Sequence, residues 1–468
     1  MAATIQPGQR YACRKLSLEL LRKPLNFGVA KNIISKNRIV KAPMIEELCT
    51  YDSLSLTKTG LPTEPLFNLY RKFAEGGCGI TVTGCIVASD NGVVSVGSAL
   101  ISKKYDSAER RELFEKWASC ASNDTLIVGQ VVHPGKRLLS FEDKAPNTFD
   151  INTASVLEIE NVIEEVAYAG HYLYKSGFHG VEINSSLDFT LGEIVNARAN
   201  KRTDKYGGSL QNRTRIILDI IGKIRDRVAD DNNFIIGLKL SSPIYEPDFN
   251  EDEYAAYCRS LDVRFSKLED FSKIYATFSL IRTGHNLYGF NLHHNNQSRL
   301  DYVAVAGGHY QYVERLGRNM LEPTKRREQF YARFVERTRR HLRNVRLIQI
   351  GGFVTAEQIH KVLVANVADA VGIGRPLAAE PDLPKKLFAE TVMSAKESII
   401  SELDFKIRKE AAGTQLWQSA NNLMLLDLTL ERHVSAFQQA VAEHAQKPKM
   451  KGSNLKDFGY AKLDMESI

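Results

Sequence analysis

Short apolar runs alternate with longer amphipathic stretches along the chain. The runs are Arg38–Met44, Ile80–Thr83, Leu126–Val132, Gly180–Asn184, Phe234–Leu240, Tyr302–Ala306, Arg346–Ile350 and Ala368–Ile373. They are rich in Val and Ile and nearly continuous, the pattern of parallel strands buried on both faces. Helical periodicity covers 64–76, 108–122, 155–176, 209–229, 251–261, 322–342 and 355–365. Eight such runs with a helical stretch between each and the next predict an α/β fold, a closed (β/α)8 TIM barrel, over 37–384.

Residues 1–36 read as a lead-in over the bottom or side of the barrel, 385–446 as further helices packed outside it, and 447–468 as a frayed polar tail. One segment breaks the rhythm. About forty residues separate the helix ending near Leu261 from the strand near Asp301, where a few are usual. Val263–Gln297 is rich in aromatics and Asn and has no clear period. It reads as a lid over the barrel mouth or as a retained intron translated in frame. A Val codon begins GT and a Gln codon can end AG, and joining Asp262 to Ser298 restores a short connection.

Composition adds bounds rather than detail. The chain has 468 residues, 43% hydrophobic and 25% charged, as expected of a globular enzyme. Its net charge of +7 comes from 62 basic against 55 acidic residues, spread thinly, so no nucleic-acid partner is expected. The six cysteines form no C-x-x-C pair, which argues against zinc or an iron–sulfur cluster. No run is long enough for a membrane span, no secretory segment opens the chain and no peroxisomal tripeptide closes it, so a cytoplasmic location is expected.

Barrel enzymes carry their reactive groups where the strands end. The third strand ends near Gln130, whose carboxamide offers a donor beside an acceptor, or simply satisfies loop backbone. The fifth carries Lys239, a cation that is costly inside a barrel unless something anionic meets it. The partner is either a ligand or a carboxylate such as Glu182. After the seventh and eighth strands stand Gly351-Gly352 and Gly374-Arg375, where backbone N–H groups and a guanidinium would cradle a phosphate. Tyr310, Tyr312 and His133 are further polar candidates at the same end.

The string Asn200-Lys201-Arg202-Thr203-Asp204-Lys205-Tyr206-Gly207-Gly208-Ser209-Leu210-Gln211-Asn212-Arg213 resembles, at every fixed position, a signature of the NADH:flavin oxidoreductase / old yellow enzyme family. Asn37–Met44, Gly76-Gly77-Cys78-Gly79, Gln130 with His133-x-Gly135, Gly351-Gly352 and Gly374-Arg375-Pro376 are similar to it too. The resemblance runs from about Leu25 to near 440, interrupted at 263–297. It implies FMN as cofactor and NAD(P)H as reductant, the nicotinamide stacking directly on the flavin. It also implies that Pro43 and Met44 lie along the isoalloxazine, that Gly84-Cys85 touch it by backbone, that Gln130 holds the pyrimidine and that Lys239 sits at N1/O2. Gly351, Gly352, Gly374 and Arg375 would hold the phosphate.

The departures concern chemistry. Where the family reads H-x-x-[HN]-x-Y, two substrate-binding side chains and a proton donor, this chain reads Asn184-Ser185-Ser186-Leu187-Asp188-Phe189. Ile45 replaces the Thr or Cys that would bond flavin O4. Asn184 remains to polarise a substrate, and Tyr310 is a candidate for the missing acid. The implied function is an FMN oxidoreductase passing hydride from NAD(P)H to an activated alkene, a quinone or oxygen. The alternatives are a flavin-binding barrel whose catalysis has decayed into a binding or regulatory role, and a flavin-free aldolase or lyase resting on Lys239.

Overall fold

The structure is a computed structural model that describes residues 8–121, 124–138, 148–186, 189–229, 231–241, 250–262, 300–307, 334–402, 404–446 and 459–467. Eight parallel strands close on themselves: β1 (Ile39–Lys41), β2 (Ile80–Ala88), β3 (Leu126–Val132), β4 (Gly180–Ser185), β5 (Ile235–Ser241), β6 (Tyr302–Ala306), β7 (Arg346–Ile350) and β8 (Ala370–Ile373). Closure comes from β1, which pairs with β8 through Val371 and Ile39 and with β2 through Val40 and Ile80. The TIM barrel expected from the alternating pattern is thus the fold.

Two strand ends differ from expectation, each for a local reason. β1 stops at Lys41, ahead of Pro43, which has no N–H to give the ladder. β2 runs on to Ala88, because a bulge at Thr83-Gly84 lets it resume pairing and take Ala99–Ile101 alongside as a further parallel strand.

The helices start where the sequence supplies caps. Ser155 and Glu158 form a capping box ahead of Val156–Lys175, Thr355 and Gln358 another ahead of Ala356–Val364, and Ser209 caps Leu210–Arg227. Alternate strand residues point outward and inward. Val131, Ile183, Leu238 and Val303 meet the helical shell, whereas Val40, Val82, Val128, Tyr302 and Ile348 fill the barrel. Gly237 makes room for Tyr302, since a Cβ there would lie 2.1 Å from the tyrosine Cζ.

The lead-in closes the bottom. Leu25–Asn26 and Ile34–Ser35 form a short antiparallel ladder that sets Phe27 and Ile33 against the inner core. Asp301, fully buried, accepts from the Val29, Ala30 and Ile236 amides and pairs with Arg225 at 2.6 Å.

The C-terminal part departs from expectation. The helix Phe405–Ala420 faces the barrel mouth rather than only its outside, with Phe405, Gly413 and Leu416 toward the cavity. The polar tail also packs down over 459–467: Thr414 Oγ1 donates to the Ala461 carbonyl and Gln418 Nε2 to that of Leu463. The segment 263–297, and with it the choice between lid and intron, lies outside the described residues. Among the described residues no helix is long and apolar enough to cross a membrane.

Candidate functional site

At the C-terminal end of the barrel lies a cavity of about 1090 Å³. Ligand pockets commonly measure about 300–1,000 Å³, so this one has room for a cofactor and a second molecule. Pro43, Met44, Ile45, Cys85, Gln130, Asn184, Lys239, Gly351, Gly352, Gly374 and Arg375 all line it. The side chains that sequence reasoning drew from separate strand ends therefore meet in one place.

The first wall is built from β1 and β2. Lys41, fully buried, donates to Glu46 Oε1 at 2.9 Å and to the Val82 carbonyl at 2.9 Å. Tyr70 donates to the same carboxylate oxygen at 2.6 Å, as does the Gly84 amide at 3.0 Å. A buried carboxylate is tolerable when paired and hydrogen-bonded in this way. The cluster pins the bulge so that bare Gly84 backbone and the Cys85 side chain meet the cavity. Burial pushes the Cys85 thiol up to about 11, against the opposing pull of Lys239, so it stays protonated.

The second wall is a network across β3, β4 and β6, with Lys239 of β5 beside it. Gln130 Nε2 donates to Glu182 Oε1 at 2.6 Å, the Tyr302 hydroxyl donates to Glu182 Oε2 at 3.0 Å, and Asn184 Nδ2 donates to Gln130 Oε1 at 3.1 Å. Burial raises the Glu182 carboxyl, and the nearby Lys239 charge opposes that shift. Glu182 thus spends its hydrogen bonds on Gln130 and Tyr302 rather than on the lysine. Each carboxamide keeps donor and acceptor capacity beyond these bonds.

The third wall is the glycine edge. Gly351 and Gly352 have φ of 100° and 83°, which L side chains rarely adopt, and a Cβ on Gly351 would meet nothing within 4 Å. Gly374 is nearly as open, with only Met44 near its missing side chain. Arg375 stands beside this bare backbone with its guanidinium 5.3 Å from the Phe405 ring centroid. Tyr11 from the lead-in completes this side, donating to Glu402 at 2.7 Å, while Glu402 pairs with Arg408.

Other candidates fall elsewhere. His133 is not on the cavity: its Nδ1 meets Thr190 Oγ1 at 2.7 Å and its Nε2 lies 3.2 Å from Glu165 Oε2, so it ties β3 to two helices. Tyr310, Tyr312 and Leu187 lie outside the described residues. Phe189 does reach the cavity, beside the apolar cluster of Val87, Val132 and Leu100, with the Arg137 guanidinium 5.9 Å from its ring.

The long signature string serves the scaffold. Asn200 Nδ2 donates to the Ile194 and Tyr206 carbonyls, Arg202 holds Asp204 and the Ala154 carbonyl, and Arg213 holds the Val195 carbonyl and Glu253. Sequence reasoning missed Tyr460, Tyr11 and Glu46 as parts of the site. Only Glu46, next to Ile45, carried a signal.

A bare glycine edge next to an arginine suits a phosphate. A lysine, two carboxamides and open backbone around a wide cavity suit a flavin ring, so the residues present fit FMN. Among the described residues no group of His, Cys, Asp and Glu side chains could hold a metal ion.

Residues 21–282 match the NADH:flavin oxidoreductase / NADH oxidase family, more than half of the chain. An NADH-dependent flavin oxidoreductase of Aspergillus parasiticus is 27% identical over 438 residues, covering 90% of either chain. An NADH oxidase of Thermoanaerobacter brockii is 24% identical over 378 residues, covering 77% of this chain and 50% of that protein. Among solved structures, a 2-naphthoyl-CoA reductase superposes with a TM-score of 0.62 at 19% identity, over 89% of this chain and 58% of the other. An old yellow enzyme homologue of Zymomonas mobilis gives 0.56 at 18%, over 81% and 95%. These structural likenesses show the fold; the family match shows more. The chain belongs to the NADH:flavin oxidoreductase / NADH oxidase family, and is an oxidoreductase of old yellow enzyme type that works with FMN and NAD(P)H.

Proposed function

We propose that this protein passes hydride from NAD(P)H to an acceptor that needs little activation by the protein, a quinone or oxygen rather than a simple activated alkene. NADH is the favoured reductant, since the Aspergillus relative is described as NADH-dependent. Bound FMN would supply the two-electron chemistry. Pro43, Met44 and Ile45 would lie along it, with Cys85 at its edge. Gln130 would hold its pyrimidine and Lys239 would balance its negative charge. Gly351, Gly352, Gly374 and Arg375 would hold the phosphate.

The observation that carries the acceptor reading is the pair Asn184 and Phe189. Asn184 spends one amide N–H on Gln130 and accepts the Ser186 amide on its carbonyl oxygen, which leaves a single N–H to polarise a substrate. Phe189 places a ring, not a hydroxyl, at the cavity wall. An enone needs both a polarised carbonyl and a proton at carbon, worth together about 10⁴-fold or more in rate. Quinones and oxygen take their protons from water. A cytoplasmic location and a small-molecule partner complete this reading.

The test is reoxidation. The protein is reduced anaerobically and mixed with a simple cyclic enone or with a benzoquinone. The quinone should react faster by about 10² or more. Equal rates, or a faster enone, would overturn the acceptor reading.

A further inference from the structure

The segment 459–467 returns from the far end of the chain to the cavity. Ala461 and Met465 are buried, and two donors on one face of the helix Phe405–Ala420 strap the segment down: Thr414 Oγ1 to Ala461 at 2.7 Å and Gln418 Nε2 to Leu463 at 2.8 Å. Gly459 turns the chain with φ of 94°, close to the Glu47 side chain.

This turn delivers Tyr460. Its ring lies over Gly413, where a Cβ would stand 2.1 Å from the ring carbons Cδ1 and Cγ. Glycine inside a helix is unfavourable relative to alanine, and the seated ring gives its place at 413 a physical reason. The Tyr460 hydroxyl donates to the Ile45 carbonyl at 2.9 Å, and the residue lines the cavity with Met44, Ile45 and Cys85. Burial, with Glu47, Glu410 and Glu46 nearby, raises its pKa, so the hydroxyl remains a donor across the accessible pH range.

Ile45 and its neighbours are in turn in contact with the bulge. The Met44 carbonyl lies 2.3 Å from where a Gly84 Cβ would be, and Glu46 holds the Gly84 amide. We infer that Tyr460 is a positioning residue of the cofactor site, whose hydroxyl fixes the Ile45 carbonyl and so sets the Pro43–Ile45 edge against Gly84. The C-terminal segment is on this account a wall of the site rather than a tail. The inference rests on the reading that FMN occupies this cavity.

The experiment uses the full-length holoprotein and two variants, Tyr460→Phe and Gly413→Ala. The first keeps the ring and removes the bond; the second displaces the ring while leaving the segment's sequence intact. Flavin fluorescence quenching gives the FMN Kd, the visible spectrum reports the surroundings of the bound ring, and Tm reports the fold. Tyr460→Phe should raise Kd by about three- to tenfold and shift the flavin absorption bands with little change in Tm. Gly413→Ala should reproduce both effects, although alanine is the better helix former. If the parent binds FMN and both variants keep its Kd and spectrum, the inference fails alone. A parent that binds no FMN overturns the flavin reading, and this inference with it.

Discussion

The Gly84 amide donates to Glu46 Oε1 at 3.0 Å, and a Cβ on that glycine would lie 1.8 Å from Glu46 Oε2 and 2.3 Å from the Met44 carbonyl. A carboxylate tip can move aside, but a backbone carbonyl moves only with its strand. Gly84→Ala should therefore cost about 1–3 kcal/mol of stability through overpacking. It should also weaken FMN binding, because the displaced backbone borders the cavity. Urea unfolding and flavin titration measure the two effects separately.

Lys41 and Glu46 form a buried pair, 0% and 7% exposed. Lys41→Met leaves Glu46 with the Tyr70 and Gly84 donors but no counter-charge. Removing one partner of such a pair typically costs about 3–5 kcal/mol. The double variant Lys41→Met/Glu46→Gln should recover part of that loss in urea unfolding. A double variant no more stable than the single one would show that the charge is not what Lys41 contributes.

The barrel was legible because its strands are buried on both faces, and a run such as Tyr302–Ala306 shows this without context. The glycine edge was legible because glycines closing the seventh and eighth strands leave open backbone at a known position in a barrel. What escaped depended on partners distant in sequence. The run was expected to end at Thr83, whereas β2 continues through Gly84, a bulge held by Glu46. Gln130 was readable as a polar group at a strand end, but not its bonds to Glu182 and Asn184, which depend on register. Tyr460 gave no periodic signal in a polar stretch; its counterpart was a glycine 47 residues away inside a helix.

Glu47 gives the protein a pH-dependent stability. Burial, aided by Glu410 and opposed by Lys409 and a bond to Ser95, raises its carboxyl to about 7. A raised acid binds its proton more tightly in the folded state than in the unfolded one. Its contribution is therefore fully present below the unfolded pKa of about 4.5 and is lost as pH rises through about 7. Glu47→Gln should flatten the fall in Tm between these limits and raise Tm above pH 7. A parent whose Tm rises over the same interval as steeply as the variant's would contradict this assignment.

Restoring the family's substrate-activating groups should restore enone chemistry. Ile45→Thr, Asn184→His, Leu187→Asn and Phe189→Tyr are best combined, because residues that act as a unit are not additive. The combined variant should reoxidise with a simple cyclic enone about 10²-fold or more faster than the parent, with unchanged flavin content. If the parent is already as fast, acceptor choice is decided by other groups.

The most direct measurement is the visible spectrum of the purified protein before and after anaerobic addition of NADH. A cavity that holds FMN between the glycine edge and Lys239 predicts a yellow protein whose visible flavin band bleaches on reduction. A protein that is colourless and takes up no added FMN, or one that is yellow and never bleaches with NADH or NADPH, would contradict the account.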